Sequence, residues 1–362
     1  MTSGASTVLA SAETALAAHD YELAIEVLVD GVAEFRGDPR AELRAHLDEA
    51  WARMSIGDLD EAIVKLERAR ALAEAPVCDD TDRAEVLYQL ACCRLKSGSV
   101  SNAVQLLTVA LRLSEGSPTL SDRLRVDILC WRTRCYRRQR DWDAARADAE
   151  AAIQLGEELH DSTRLADAYL QASQIAERTG QLLIARFYVE RVIELQRDAG
   201  DLLSAGKALN NLGGILFLLG ETDAANIRLK EAFAVALELG NEVDAAYAVS
   251  STAQVLLRGG EPVEAEQKAR YALELLENRD DHVNEIGNAK LVLGRALMEQ
   301  GRFDESADEL AAADESFVQM DSLGHCAAAW LAQGDLAARR GHIEEAAAVY
   351  RRAAEALQDV RF

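Results

Sequence analysis

Ten residues from Trp131 to Arg140 read Trp-Arg-Thr-Arg-Cys-Tyr-Arg-Arg-Gln-Arg, five guanidinium groups in a protein whose formal net charge is −23. Arginine presents a planar fork that fits carboxylate or phosphate two bonds at a time. The stretch therefore predicts either an anionic-ligand site, most simply for an acidic peptide segment or a free C-terminal carboxylate, or internal ion pairs to Asp127, Asp141, Asp143 and Glu177. A second candidate is Asn210-Asn211. Each amide offers both a donor and an acceptor, which suits the backbone of an extended peptide. Signals for catalysis are poor. The six histidines (His19, His46, His160, His282, His325, His342) form no pair at metal-ligand spacing on a helix. The six cysteines include no Cys-x-x-Cys pair and read as buried apolar groups. Leu212-Gly213-Gly214 falls inside a helical pattern rather than after a strand, so it is not a phosphate loop. No catalytic residue, metal site or cofactor is expected.

The elements that must position these residues repeat from end to end. Lys207 to Gly240 carries apolar residues at helical spacing up to Leu219, a break at Gly220, a second helical run to Leu239, and a closing glycine. Equivalent breaks fall at His19, Gly57, Gly98, Arg140, Gly180, Gly220, Gly260, Gly301 and Gly341, about 40 residues apart. Seven residues before each break stands a small residue: Ala12, Ala50, Ala91, Thr133, Ser173, Gly213, Ala253, Gly294 or Gly334. Small residues recur five and twelve after it, as at Ala225 and Ala232, while the position nine after it is mostly larger, as at Leu66, Leu229 and Tyr350. Small residues let two helices approach closely, and larger ones fill the space between hairpins. One such hairpin has no way to bury its apolar face alone and needs neighbours of its own kind. Polar breaks separate the units at Gly37-Asp38-Pro39, Pro76 to Asp80, Gly116-Ser117-Pro118 and Glu277 to Asp281; Asp20 and Asp80 or Thr81 read as helix caps, and the fourth unit begins near Ser121. Pro39 and Pro262 sit where a first helical turn accepts proline.

This pattern of small, turn, small, small resembles the tetratricopeptide repeat family across nine units, with a period longer than the family's usual length of about 34 residues. It is similar to the long-repeat variety of bacterial peptide-sensing regulators, the maltose-regulon activator, kinesin light chains and Pins proteins; the Asn-Asn-Leu-Gly of Asn210 to Gly213 is especially like the last two. The resemblance implies an all-α, right-handed α-solenoid of about nine hairpins, one domain over residues 1–362. It also implies a ligand groove lined by positions thirteen, ten, nine, six, three and two before each turn. In this sequence those positions include Gln89, Lys96, Trp131, Arg134, Arg137, Arg138, Gln171, Gln174, Arg178, Asn211 and Gln254, with Asn210 beside Asn211. Asn211 matches the asparagine that, in the peptide-binding families, touches the ligand backbone, and Gln89, Gln171 and Ser251 share its column. The column turns apolar at Ala10, Val292 and Ala332.

Composition sets the remaining bounds. Hydrophobic residues make up 49% and aromatics 5%, as alanine- and leucine-rich helix packing requires. The negative charge opposes indiscriminate binding to nucleic acid or anionic membrane. The N-terminal residues lack a basic region and a long apolar run, so neither a signal peptide nor a membrane span is expected, and a cytoplasmic location in a bacterium follows as the default. The reading is a non-enzymatic module, adaptor or scaffold, that binds a protein or peptide segment of acidic character in its groove. The alternatives are a regulatory peptide sensor controlling a partner transcription factor and a scaffold that self-associates through its ends.

Overall fold

The computed structural model describes residues 3–115, 122–277, 279, 282–320 and 323–359. The breaks expected at Gly116-Ser117-Pro118 and Ser121, and Asn278, Asp280 and Asp281 of the later connection, lie outside the described residues. The described residues hold eighteen α-helices, one 3₁₀ helix and no strand. They fold as the α-solenoid that the repeat implies.

The contacts divide the protein into two compact units, Met1–Ile175 and Ala176–Phe362. Unit 1 holds α1 (Ser3–Ala17), α2 (Tyr21–Asp30), α3 (Pro39–Ser55), α4 (Leu59–Leu72), α5 (Asp80–Lys96), α6 (Val100–Glu115), α7 (Asp122–Gln139), α8 (Trp142–Leu159) and most of α9 (Ser162–Arg178). Unit 2 holds the last turn of α9, then α10 (Leu182–Asp198), α11 (Leu202–Leu218), α12 (Thr222–Glu238), α13 (Glu242–Arg258), α14 (Pro262–Leu275), α15 (Val283–Glu299), α16 (Phe303–Gln319), α17 (Leu323–Arg339) and α18 (Ile343–Asp359). No helix among the described residues is long and apolar enough to cross a membrane.

All nine expected turn residues adopt the left-handed backbone, from φ 58° at His19 and 59° at Arg140 to 89° at Gly57. At Gly220 the reason is visible in the bonding. Its N–H donates to the Phe217 carbonyl (3.0 Å) and the Glu221 N–H to the Leu216 carbonyl (2.9 Å), which ties off the end of α11. At Arg140 the closure is the same: its N–H donates to the Arg137 carbonyl (3.1 Å) and the Asp141 N–H to the Tyr136 carbonyl (3.0 Å). Caps start the next helices. Asp20 and Asp141 accept from the Leu23 and Ala144 N–H groups, at 3.1 Å each. In α5 the cap is Asp79, one residue earlier than expected, because Asp79 and Asp82 bond reciprocally to each other's backbone.

The small columns are where hairpins close. The residues five after the turn are all buried, as are those seven before it. In unit 2 a Cβ added at Gly213 would stand 2.6 Å from the Leu229 side chain, at Gly294 2.7 Å from Leu310, and at Gly334 2.5 Å from Tyr350. So the two columns are one contact: a missing side chain seven before the turn receives a large one from nine after it. In hairpin four the sizes reverse, with Thr133 paired in sequence with Ala149.

Candidate functional site

The arginine stretch of α7 comes together with other expected residues of unit 1, but its members are held by one another. Arg134 donates to both oxygens of Asp167 (2.7 and 2.9 Å) and lies over the Trp131 ring, 4.7 Å from its centre. Arg137 donates to Gln171 Oε1 (2.7 Å), and the Gln171 amide donates to Asp167 Oδ1 (2.9 Å), closing the network. Arg138 donates to the Leu95 carbonyl (2.7 Å) and Lys96 to the Met54 carbonyl (3.2 Å). The internal partners of Arg134, Arg137 and Arg138 are thus Asp167, Gln171 and a main-chain carbonyl. Asp127, named from the sequence, is bound to Arg164 instead (2.9 Å), while Asp141 caps α8 and Asp143 faces Arg146 (3.6 Å). Gln89 is buried, and its Oε1 has no hydrogen-bond partner among the described residues. Gln174 is half-buried in α9.

Three interactions in unit 1 escaped the sequence reading. Arg44 bridges Asp48 (2.7 Å) and Glu85 (2.9 Å) across two hairpins. Burial pushes the Asp48 carboxyl above its ordinary value, with Arg44 opposing and Glu85 adding to the rise. Trp51, Tyr88 and Trp131 form a row of rings with centres 6.5 Å apart at each step. Inside hairpin four, Arg132 forks onto Asp148 with two bonds of 2.7 Å.

Unit 2 is different. Asn210, Asn211 and Gln254 line an open trough built from the first helices of successive hairpins. One cavity, of about 310 Å³, is bounded by Gly206, Lys207, Asn210 and Asn211 of α11, Asp244 and Tyr247 of α13, and Asn284 and Glu285 of α15. A second, of about 410 Å³, shares Asn210, Asn211 and Tyr247 and adds Glu177, Phe217, Ser250, Ser251, Gln254, Arg258, Asn288 and His325. Asn210 is 7% exposed and Ser250 4%, yet Asn210 Oδ1 and Ser250 Oγ have no hydrogen-bond partner among the described residues. A buried polar atom without a partner costs about 1–3 kcal/mol, and both residues line the second cavity. Packing in the trough, with the Glu285 and Glu177 carboxylates nearby, pushes the Tyr247 phenol up. Lys207 faces Asp244 at 3.5 Å. Arg178 is exposed and is not among the lining residues.

Tyr247, Ser250 and Asn288 were legible in principle. They stand thirteen, ten and thirteen residues before Gly260, Gly260 and Gly301, at positions the resemblance marks. His325 carried no such signal. It stacks on Phe317, with ring centres 5.1 Å apart. The six cysteines are buried and unbridged, and no cluster of metal-ligating side chains occurs among the described residues.

Stacked hairpins with a left-handed turn, small closing columns and a face lined by first helices define an α-solenoid of repeated helix pairs. The family model for the tetratricopeptide repeat matches residues 47–118 and 288–360, so these two stretches carry tetratricopeptide repeats. No curated protein sequence matches it significantly. Among solved structures it is similar to the apo form of RapI, at 12% identity and a TM-score of 0.74 over 99% of this chain and 98% of that one. It is also similar to a Rap protein complexed with Competence and Sporulation Factor (14% identity, TM-score 0.70, 98% of each protein). A third likeness is to the Rap conjugation gene regulator of plasmid pLS20 in complex with the Phr* peptide (15% identity, TM-score 0.59, 99% of this chain and 96% of that one). At these identities the likeness shows the fold.

Proposed function

We propose that this protein is a non-enzymatic regulatory module that binds an extended peptide in the trough of unit 2. The observation that carries the reading is the run of neutral polar side chains, Asn210, Asn211, Ser250, Ser251, Gln254 and Asn288, that line the two cavities. The amides of Asn211, Gln254 and Asn288 and the Ser251 hydroxyl would bond the N–H and C=O groups of a peptide backbone. The apolar part of the lining, Val235, Ala236 and Val243, would receive a side chain. That a solenoid of this fold has been solved with a bound peptide agrees with the reading. The arginines of α7 are assigned a holding role within unit 1, since Arg134 and Arg137 already have partners.

The test is retention of short random peptides by the immobilised protein. Wild type is expected to enrich particular sequences. Asn210→Ala with Asn211→Ala should reduce their retention by about tenfold or more while the fold is kept, on the scale of one or two lost hydrogen bonds. Arg134→Glu should lower the stability of unit 1 and leave peptide retention unchanged. Equal retention by wild type and the asparagine variant, or loss in the Arg134 variant alone, would overturn the assignment.

A further inference from the structure

Unit 1 holds a cavity of about 300 Å³ that none of the groove columns lines. Its walls belong to two second helices, the end of α4 on one side and α6 on the other, with the start of α5 between them. Val86 of α5 and Ala73 at the end of α4 are buried in it, at 0% and 2% exposure. From α6 it takes Asn102, Gln105, Leu106, Val109 and Leu113, which stand at i, i+3, i+4, i+7 and i+11 and so share one face of that helix. Val109 is 45% exposed. The Asn102 and Gln105 side chains make no hydrogen bond among the described residues and stand at the solvent edge.

This face departs from the repeat. Counted from their own turns, the same five positions include Glu61, Lys65 and Arg68 in α4, and Glu305, Asp308 and Glu309 in α16. Charge keeps such a face in water; on α6 all five positions are uncharged and three are apolar. The lining from Asn102 to Leu113 spans eleven residues, about 16 Å or three helical turns. The remaining charges in the cavity are two guanidinium groups, Arg70 and Arg83, and one carboxylate, Glu74, in a protein whose net charge is −23. Arg83 is held by Asp80 at 2.8 Å, whereas Arg70 is exposed and approaches Glu67 only to 3.8 Å.

We propose that the groove between α4 and α6 docks an amphipathic helix of a partner protein, with acidic residues flanking its apolar stripe. Three turns of such a helix would set apolar residues at i, i+3 or i+4, and i+7 against Leu106, Val109 and Leu113. Its flanks would bond the Asn102 and Gln105 amides on one side and meet Arg70 on the other. An acyl chain suits the groove less, because it offers nothing to those amides and leaves the open side at Val109 in water. The site shares no residue with the trough of unit 2 and does not depend on the peptide reading.

The test is a displayed library of four-turn helices, with an apolar stripe and flanking positions randomised over Asp, Glu, Lys, Arg, Gln and Ser, selected on the immobilised whole protein. Wild type is expected to enrich helices with Asp and Glu on the flanks. Val109→Glu, at an exposed position, should weaken them by about tenfold or more while helical circular dichroism and the unfolding midpoint stay as in wild type. Arg70→Glu should turn the enriched flanks from acidic to basic. Asn210→Ala with Asn211→Ala should bind the selected helices as wild type does; their loss in that variant would place them in the trough and overturn the groove. No helix enriched, or enriched helices indifferent to Val109→Glu, would overturn it too. Self-association that Val109→Glu abolishes, with no helix enriched, would give the groove to a second copy and overturn the partner helix.

Discussion

The same repeat columns are occupied in opposite ways in the two units. In unit 1 they carry, beside Gln89 and Gln171, long charged side chains that reach the next hairpin and neutralise each other, as Arg44 does with Asp48 and Glu85, and Arg134 with Asp167. In unit 2 the columns carry Asn210, Asn211, Ser250, Ser251 and Gln254, neutral and shorter, and cavities of about 310 and 410 Å³ stay open between the helices. Long ionic side chains close a groove by pairing across it. Short neutral side chains leave space between the helices. Hairpin closure differs too. The glycines seven before the turn, Gly213, Gly294 and Gly334, all belong to unit 2, where each receives a large side chain. Unit 1 has Ala, Thr and Ser there.

The sharpest way to break this comparison is to remove one partner of a buried pair in unit 1. Asp148→Ala leaves Arg132 buried without its fork and is expected to cost about 3 kcal/mol, read by denaturant unfolding. A change below about 0.5 kcal/mol would show that ionic interlocking does not hold unit 1. In unit 2 the equivalent lever is steric. Gly294→Ala puts a Cβ 2.7 Å from Leu310 and should cost roughly 2 kcal/mol, part of which Leu310→Ala should restore in a double-mutant cycle. Simple additivity would refute the closing-column account. The turns give a smaller effect of opposite sign. Arg140→Gly relieves a left-handed non-glycine residue and should stabilise by about 0.5–1 kcal/mol, whereas Gly220→Ala should destabilise by a similar amount.

Titration should give the smallest effect. Burial holds Asp48 of unit 1 above its ordinary value of 3.8, so the folded protein takes up that proton first, and the group adds stability as pH falls towards 3.8. Glu266 of unit 2 runs the other way. Burial pushes it up, but bonds from Gln300, Arg270 and Arg302 outweigh burial and hold it below 4.5. Its contribution is present above pH 4.5 and is lost as pH falls through its folded value. Asp48→Asn should therefore steepen the loss of stability on acidification, and Glu266→Gln should flatten it. Denaturant midpoints measured across the acid range would check both signs, and equal slopes would refute the assignment.

Much of this was present in the linear sequence. The turn column was readable even at His19 and Arg140, where no glycine announces it, because the flanking small residues keep the register. Asn211 and Gln254 were found by counting back from the turn, and Tyr247 and Asn288 were open to the same count. What counting did not yield was who pairs with whom. Asp167 stands thirteen residues before its own turn and meets Arg134, six before the previous one, only because stacking brings adjacent hairpins into contact. The expected partners Asp141 and Asp143 were nearer in sequence, but one caps a helix and the other faces outward to Arg146.

The sequence by itself determined the helices, their turns and the column each residue occupies, because these follow from local backbone preference and a hydrophobic period that one segment carries alone. Only the tertiary structure decided that Arg134, Arg137 and Arg138 of α7 have partners and that, among the described residues, Asn210 Oδ1 and Ser250 Oγ have none. Those properties belong to side chains from different hairpins, and their charge balance and hydrogen bonding exist only once the hairpins are stacked.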